Sequence, residues 1–358
     1  MKVLYLINYA GKAGTEKYVE NLMDYLHPGH CQCGLCYNLE GPLADKTRDK
    51  GMAVHRVVMK HPFDLKAARE IAKLCKEEGY EVIHAQYPRE NCVALLSRLF
   101  GSRAKVVFTS HLTIHQPLFW RVLNRLFTPQ NQKVIAVCKA SEEILRDNGV
   151  KADRIQVIFN GIDAAQMPPR DRGALAEFGI GGQVVLITLA RFMPEKGLGF
   201  LCDGVKLLKA RTSVPFQVLL VGDGEEFDAI SQKVRDLGLE DTVKLPGFRS
   251  DTGRLLAASD IYLNTSEAEA MSFAILEAMA NGLPVVATDV GGNRDLVHVD
   301  GESGLTVPYG DPEAFAAALQ TLLEQPELRK TMGQTALKKA KTTFDLNKLL
   351  EDVYHTYQ

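Results

Sequence analysis

Two doubly wound, Rossmann-like α/β domains in tandem are what this sequence of 358 residues predicts. Three observations lead there. Short continuous apolar runs alternate with amphipathic stretches, as parallel strands buried on both faces and covered by helices require. The alternation breaks once, across residues 160–172, where Gly161, Met167-Pro168-Pro169 and several charges give a linker-like composition. It then restarts and runs nearly to the end, and a chain that is 46% hydrophobic is long enough to bury two cores.

In the first domain, Val3-Leu4-Tyr5-Leu6-Ile7 reads as a buried strand, a loop with Gly11 and Gly14 follows, and residues 15–26 form an amphipathic helix. Strand, glycine loop and helix N-terminus in that order make an anion-binding unit. Further strands are expected at 54–58, 81–85, 105–109, 134–137 and 156–159, with helices at 64–78 and 141–148. In the second domain, strands at 184–189, 217–221, 243–245, 261–264 and 284–287 alternate with helices near 196–211, 225–237, 254–258, 273–280 and 313–324. A last helix, 347–357, carries an apolar stripe with no strand after it. Two such domains place the carboxyl ends of both sheets toward a central cleft, the place where ligands of this fold class bind.

The formal charge of −2 conceals an asymmetry, with basic residues in excess over the first 165 positions and acidic ones in excess afterwards. The first half is therefore suited to an anionic surface, and nothing points to nucleic acid. No apolar run approaches the ~20 residues that cross a bilayer, and the opening stretch is too short and strand-like for a signal peptide, so a cytoplasmic location is expected. Seven scattered cysteines suit reduced thiols better than a disulfide framework. The cluster His27, His30, Cys31, Cys33 and Cys36 has metal-ligand residue types, but 31–36 reads as a strand whose Cys33 and Cys36 face opposite ways. Packed thiols are the expectation, and no metal site.

The most informative stretch is SEAEAMSFAILEAMANGLPVVATD, residues 266–289. A carboxylate, Glu269, precedes a helix and a second, Glu277, lies within it; Asn281-Gly282 ends the helix and Pro284 opens the next strand. Amides at Ser272, Phe273 and Ala274 would point at an anion. Here the sequence resembles the E-x7-E segment of glycosyltransferase family 4, the retaining sugar transferases of the GT-B fold. The likeness extends over nearly the whole chain through GKAGTE at 11–16, Thr109-Ser110-His111, AVCKAS at 136–141, VIFNGID at 157–163, ARFMPEKG at 190–197, VGDGE at 221–225, LPGF at 245–248 and VGGNRD at 290–295.

The resemblance implies an acceptor-binding domain over 1–165, a nucleotide-sugar-binding domain over 166–342, and a C-terminal helix over 343–358 returning to the first domain. It implies that Arg191 and Lys196 hold the donor diphosphate, that Glu277 accepts from the ribose hydroxyls, and that Glu269 reads the transferred sugar. The Phe248-Arg249 loop matches the one whose backbone contacts the base, and His111 matches the histidine that contacts the donor sugar. Gly14 matches the glycine loop beneath the phosphates, although Ala13 replaces the first glycine of the family's pair. The segment Glu-Ala-Met-Ser also departs from the commoner Glu-Gly-Phe-Gly.

The implied reaction is retaining, from a UDP-sugar first and GDP-mannose second, onto a saccharide or lipid-linked acceptor in cell-surface polysaccharide or glycolipid synthesis. Fixed cations and helix amides would stabilise the leaving diphosphate with no divalent metal or other cofactor. Same-face attack, with the departing phosphate accepting the acceptor's proton, is favoured over a covalent intermediate on Glu269. The competing readings are a nucleotide-sugar epimerase or a phosphorylase of the same fold, and a non-catalytic partner of another transferase. A dinucleotide-dependent oxidoreductase is excluded by the missing G-x-G-x-x-G spacing.

One segment is left for a surface role. Residues 116–128 contain Arg121 and Arg125 one turn apart, flanked by aromatics that include Trp120, the only tryptophan, and suit an anionic membrane interface. An ordinary covering helix would instead pack Leu118, Val122 and Leu126 on the sheet.

Overall fold

The computed structural model describes every residue except Lys12 and Leu112, so Lys12 of the expected 11–16 glycine loop lies outside the described residues. The chain divides into two compact units, residues 1–160 with 347–358, and residues 161–346. The division falls a few residues before the expected 165/166 boundary, and the returning segment starts at 347 rather than 343.

The first unit runs β1 (Lys2–Tyr9), α1 (Gly14–Leu26), β2 (Gln32–Leu39), α2 (Pro42–Asp49), β3 (Ala53–Arg56), α3 (Leu65–Glu78) and β4 (Val82–Ala85). It continues through α4 (Pro88–Leu96), β5 (Lys105–Ser110), α5 (Leu118–Phe127), β6 (Lys133–Ala136), α6 (Lys139–Asp147) and β7 (Ile155–Val157). Its sheet is parallel in the order β3-β2-β1-β4-β5-β6-β7. The order reverses between β1 and β4, and at such a switch point the loops leave in opposite directions and open a crevice.

The second unit runs β8 (Val184–Leu189), α7 (Leu198–Arg211), β9 (Phe216–Val221), α8 (Phe227–Asp236), β10 (Val243–Gly247), α9 (Thr252–Ala258) and β11 (Ile261–Asn264). After these come α10 (Phe273–Ala280), β12 (Val285–Thr288), α11 (Asn293–His298), β13 (Gly304–Val307), α12 (Pro312–Glu324) and α13 (Pro326–Lys341). Its order, β10-β9-β8-β11-β12-β13, puts the switch point between β8 and β11. The last helix, α14 (Leu346–His355), buries Leu349, Leu350 and Val353, and Tyr357 beyond it is buried in the first unit.

Local chemistry explains the elements. In α3 the Asp64 side chain accepts from the Ala67 amide at 3.0 Å, Gly79 ends the helix in the left-handed region, and Ala67, Ala68, Ile71, Ala72 and Cys75 form its buried stripe. Ile7, Leu6, Tyr5, Leu4 and Val3 are all buried, as a strand covered on both faces demands.

Three expectations need correction. The 160–172 stretch is anchored rather than free: Ile162 pairs with Asp345, its amide donating to Phe344 O at 2.9 Å, and Gly161 allows this approach because a Cβ would lie 2.7 Å from Leu346 Cα. Arg170 and Arg172 both grip Asp260, at 2.6 and 2.7 Å. Five elements, α2, α4, α11, α13 and β13, were not expected. Finally, α5 buries Leu123 and Asn124, whereas Leu118, Val122 and Leu126 stand out of the fold at 73%, 49% and 62% exposure. Asn124 docks the helix instead, donating to Gln116 Oε1 at 2.8 Å and Asn148 O at 3.0 Å.

Candidate functional site

In the second unit the candidate residues gather at the switch point. Arg191 and Lys196 follow β8, and Ser266 and Glu269 follow β11, its neighbour in the sheet. The Lys196 ammonium donates to Glu269 Oε1 at 2.7 Å, and the Ser266 hydroxyl donates to the same oxygen at 2.7 Å. Both charged side chains are mostly buried. The backbones are laced as well. Glu267 donates its amide to Glu195 O at 2.8 Å, and the Thr265 hydroxyl donates to Lys196 O at 3.0 Å. Between them Gly197 takes φ 61°, with Thr265 O only 2.2 Å from where a Cβ would stand, so a side chain there would force the two loops apart.

Arg191 is not drawn into this pair. Its side chain is 72% exposed and reaches Glu195 at 4.0 Å. Behind it the β9 turn closes on the β8 loop: Phe192 donates its amide to Asp223 O at 2.9 Å, and Gly222 donates to Gly247 O at 3.0 Å. Phe248 is exposed, while Arg249 is fully engaged by Glu177 at 2.8 and 2.9 Å and by Asp251 at 2.8 and 2.9 Å. These carboxylates raise the Arg249 guanidinium pKa further. What that loop presents to a ligand is backbone and the Phe248 ring.

Ser272 caps α10, its hydroxyl accepting from the Ile275 amide at 3.4 Å, and Phe273 and Ala274 begin the helix partly exposed. First-turn amides have no intrahelical acceptor, and their partial positive charge faces along the axis. Glu277 lies one turn further on, partly buried. Sequence reasoning missed the buttress beneath. Asn293 Nδ2 donates to Asn264 Oδ1 at 3.0 Å and to Thr288 O at 3.1 Å, and the Thr288 hydroxyl donates to Ser266 O at 2.6 Å. Its signal was a polar residue closing each of two apolar strands, Asn264 and Thr288.

In the first unit, His111 leaves β5 beside Gln86, which leaves β4; the His111 Nε2 to Gln86 Oε1 distance is 2.9 Å. The Gln86 amide nitrogen donates to His84 O at 3.3 Å, so its oxygen faces His111 and accepts from Nε2–H. Burial pushes the His111 imidazole down to about 3, and it pushes His84 down to about 3, with His111 adding to the effect. Gly14 opens α1, and Ala13 before it sits at φ −84°, where an alanine fits without strain.

The His27 to Cys36 group holds no candidate metal centre among the described residues; the seven cysteines are buried free thiols, with Cys31 and Cys33 sulfurs 3.8 Å apart.

Family models described as "Glycosyltransferase Family 4" and "Glycosyl transferases group 1" match residues 13–166 and 183–325. The chain is 31% identical over 309 residues to the N-acetyl-α-D-glucosaminyl L-malate synthase of Bacillus anthracis, spanning 82% of this chain and 79% of that one. It is 25% identical over 308 residues to the UDP-Gal:α-D-GlcNAc-diphosphoundecaprenol α-1,3-galactosyltransferase of Escherichia coli, with the same coverage of 82% and 79%. Among solved structures, Anabaena HepE in complex with UDP superposes with a TM-score of 0.86 at 25% identity, covering 99% of both chains.

Folded-state values near 3 against an ordinary histidine value near 6.5 mean that the unfolded chain binds more protons between those limits. His84 and His111 therefore draw stability away as pH falls through that window and change nothing above it. Their imidazole resonances should stay flat from pH 8 to 5; a titration midpoint near 6.5 for either would contradict the burial.

Proposed function

Since the chain belongs to glycosyltransferase family 4, we propose that it transfers a hexosyl or N-acetylhexosaminyl group from a nucleotide-diphosphate sugar to a hydroxyl of a saccharide or lipid-linked acceptor, with retention at the anomeric carbon. A UDP-sugar is the first choice of donor, which the likeness to UDP-bound HepE supports, and GDP-mannose the second. The observation that carries this reading is the Lys196 ammonium on Glu269 at the β8/β11 switch point, beside the capped N-terminus of α10.

The chemistry follows from what leaves. A nucleoside diphosphate gains negative charge as the glycosidic bond breaks, so groups fixed where that charge grows lower the barrier. Lys196, Arg191 and the amides at Ser272, Phe273 and Ala274 take that role, and Glu277 receives the ribose hydroxyls. The Phe248-Arg249 loop offers its backbone to the base, Arg249's own side chain being held by Glu177 and Asp251. Glu269, fixed by Lys196 and Ser266, accepts from hydroxyls of the transferred sugar. For the first unit the same reading gives Gly14 a phosphate role and His111 a donor-sugar role, His111 as a neutral hydrogen-bonding group. The departing phosphate accepts the acceptor's proton on the face from which it leaves. These cations occupy the place of a metal, so none is required.

An interfacial acceptor is supported by α5. Leu118, Val122 and Leu126 repeat every four residues on one exposed stripe, Phe119 and Trp120 stack edge to face at 5.7 Å, and exposed Arg121 and Arg125 flank them. Apolar side chains beside cations suit the headgroup region of an anionic membrane. Among the described residues no helix is long and apolar enough to cross a membrane. The association proposed here is a peripheral one, at the cytoplasmic face.

Release of UDP from UDP-sugars should proceed at full rate in excess EDTA, and Lys196→Ala and Arg191→Ala should each lower turnover about 10²-fold without changing the circular dichroism spectrum. Turnover within about threefold of wild type in both variants would remove the diphosphate role, and loss in EDTA with rescue by manganese would remove the metal-free one. In liposome co-sedimentation, binding should rise with anionic lipid, fall with salt and weaken in Arg121→Glu/Arg125→Glu. Equal recovery from neutral and anionic vesicles would favour a soluble acceptor.

A further inference from the structure

Beneath His111 lies a set of buried polar side chains to which the reaction assigns no task. His84 and Gln86 point to one face of β4, and Thr109 and His111 to the same face at the end of β5, two residues apart in each case. They form two rungs: His84 Nε2 to Thr109 Oγ1 at 2.7 Å, and Gln86 Oε1 to His111 Nε2 at 2.9 Å. Tyr18 of α1 lies across both. Its hydroxyl meets Thr109 Oγ1 at 3.2 Å, and its ring stands edge-on to His111 at 5.0 Å and to His84 at 6.3 Å. On the far side, the Tyr357 hydroxyl meets His84 Nδ1 at 2.7 Å and the Tyr5 hydroxyl at 3.1 Å. His84, Thr109, Tyr18, Tyr5 and Tyr357 are all buried.

Buried polar atoms are retained when each has a partner, and here each bond fixes the next. A neutral imidazole has one N–H and one bare nitrogen, so whichever bond His84 makes to Tyr357 dictates whether it donates to or accepts from Thr109. Thr109, with one hydroxyl proton, passes that choice to Tyr18, and the Tyr18 ring packs directly on His111. Among the described residues no carboxylate is hydrogen-bonded to these groups, which keeps the chain uncharged and oriented by hydrogen bonding.

We propose that Tyr357 and His84 are positioning residues for His111: the hydroxyl delivered by the C-terminal segment sets His84, and through Thr109 and Tyr18 sets the imidazole that contacts the donor. The inference rests on the donor-side role given to His111 above, although the geometry linking it to Tyr357 does not. Loss of one hydroxyl should shift His111 without removing any group that touches substrate, and misplacement on the ångström scale is costly to turnover.

The test is Tyr357→Phe in the full chain, read in two ways. Imidazole ¹⁵N spectra should show His111 displaced from its wild-type position, while Tyr80→Phe, which removes a buried hydroxyl that meets His55 outside this chain of bonds, leaves His111 nearly unmoved. UDP release from UDP-N-acetylglucosamine should fall about tenfold in kcat with KM nearly unchanged. On a His111→Ala background the same substitution should cost no further activity. A purely structural hydroxyl would lower the melting temperature and cost activity equally in both backgrounds, and that result, or an unmoved His111 spectrum, overturns the proposal. If wild type releases no nucleoside diphosphate from UDP-hexoses, UDP-N-acetylhexosamines or GDP-mannose, the donor reading fails, and the ¹⁵N spectra still decide the positioning claim.

Discussion

The ion pair between Lys196 and Glu269 is the contact on which the second unit's architecture converges. It joins the loop after β8 to the loop after β11, two strands that are neighbours in space but well separated in sequence. A mostly buried pair of charges is tolerated only when hydrogen bonds complete it, and here Ser266 shares the carboxylate oxygen. Close approach is also needed, and Gly197 supplies it by accepting a left-handed backbone against Thr265 O. Removing either partner would break this tie between the two loops, so the pair constrains the loops whatever it does for a ligand.

The rest of the site is arranged around that constraint. The Asn264, Thr288 and Asn293 bonds hold the β11 and β12 ends beneath Glu269, and Ser272 fixes where α10 begins. The first unit meets a similar problem at the carboxyl ends of its central strands β4 and β5 by other means. Its polar groups there are neutral, and His84 and His111 are kept uncharged by burial, with no carboxylate bonded to them among the described residues. Charged groups thus stand where an anionic diphosphate is expected, and neutral hydrogen-bonding groups where orientation is the task.

Much of this was legible. The strands 184–189 and 261–264 and the helix 273–280 fall where periodicity and caps put them, because an apolar run bounded by Ser272 and by Asn281-Gly282 leaves little freedom. Lys196 and Glu269 were named together only through the family resemblance; nothing in the spacing says that they touch. The rungs under His111 were hidden because His84 sits within Val82–Ala85, a run that reads as plain core. Helix α4 escaped notice since Glu90 through Leu95 are all buried, leaving no polar face to give a period. The helix at 118–127 was visible, but which side faced the sheet was decided by Asn124, a polar residue that no hydrophobic pattern selects.

The proposed function places the donor diphosphate at the β8/β11 switch point of the second unit. Amide hydrogen exchange with and without UDP tests it without requiring the acceptor. Binding there should slow exchange in the 190–197 loop and across 266–274, with little change in the amides of α12 and α13. Protection confined to other segments, with 190–197 and 266–274 exchanging as in the free protein, would contradict it.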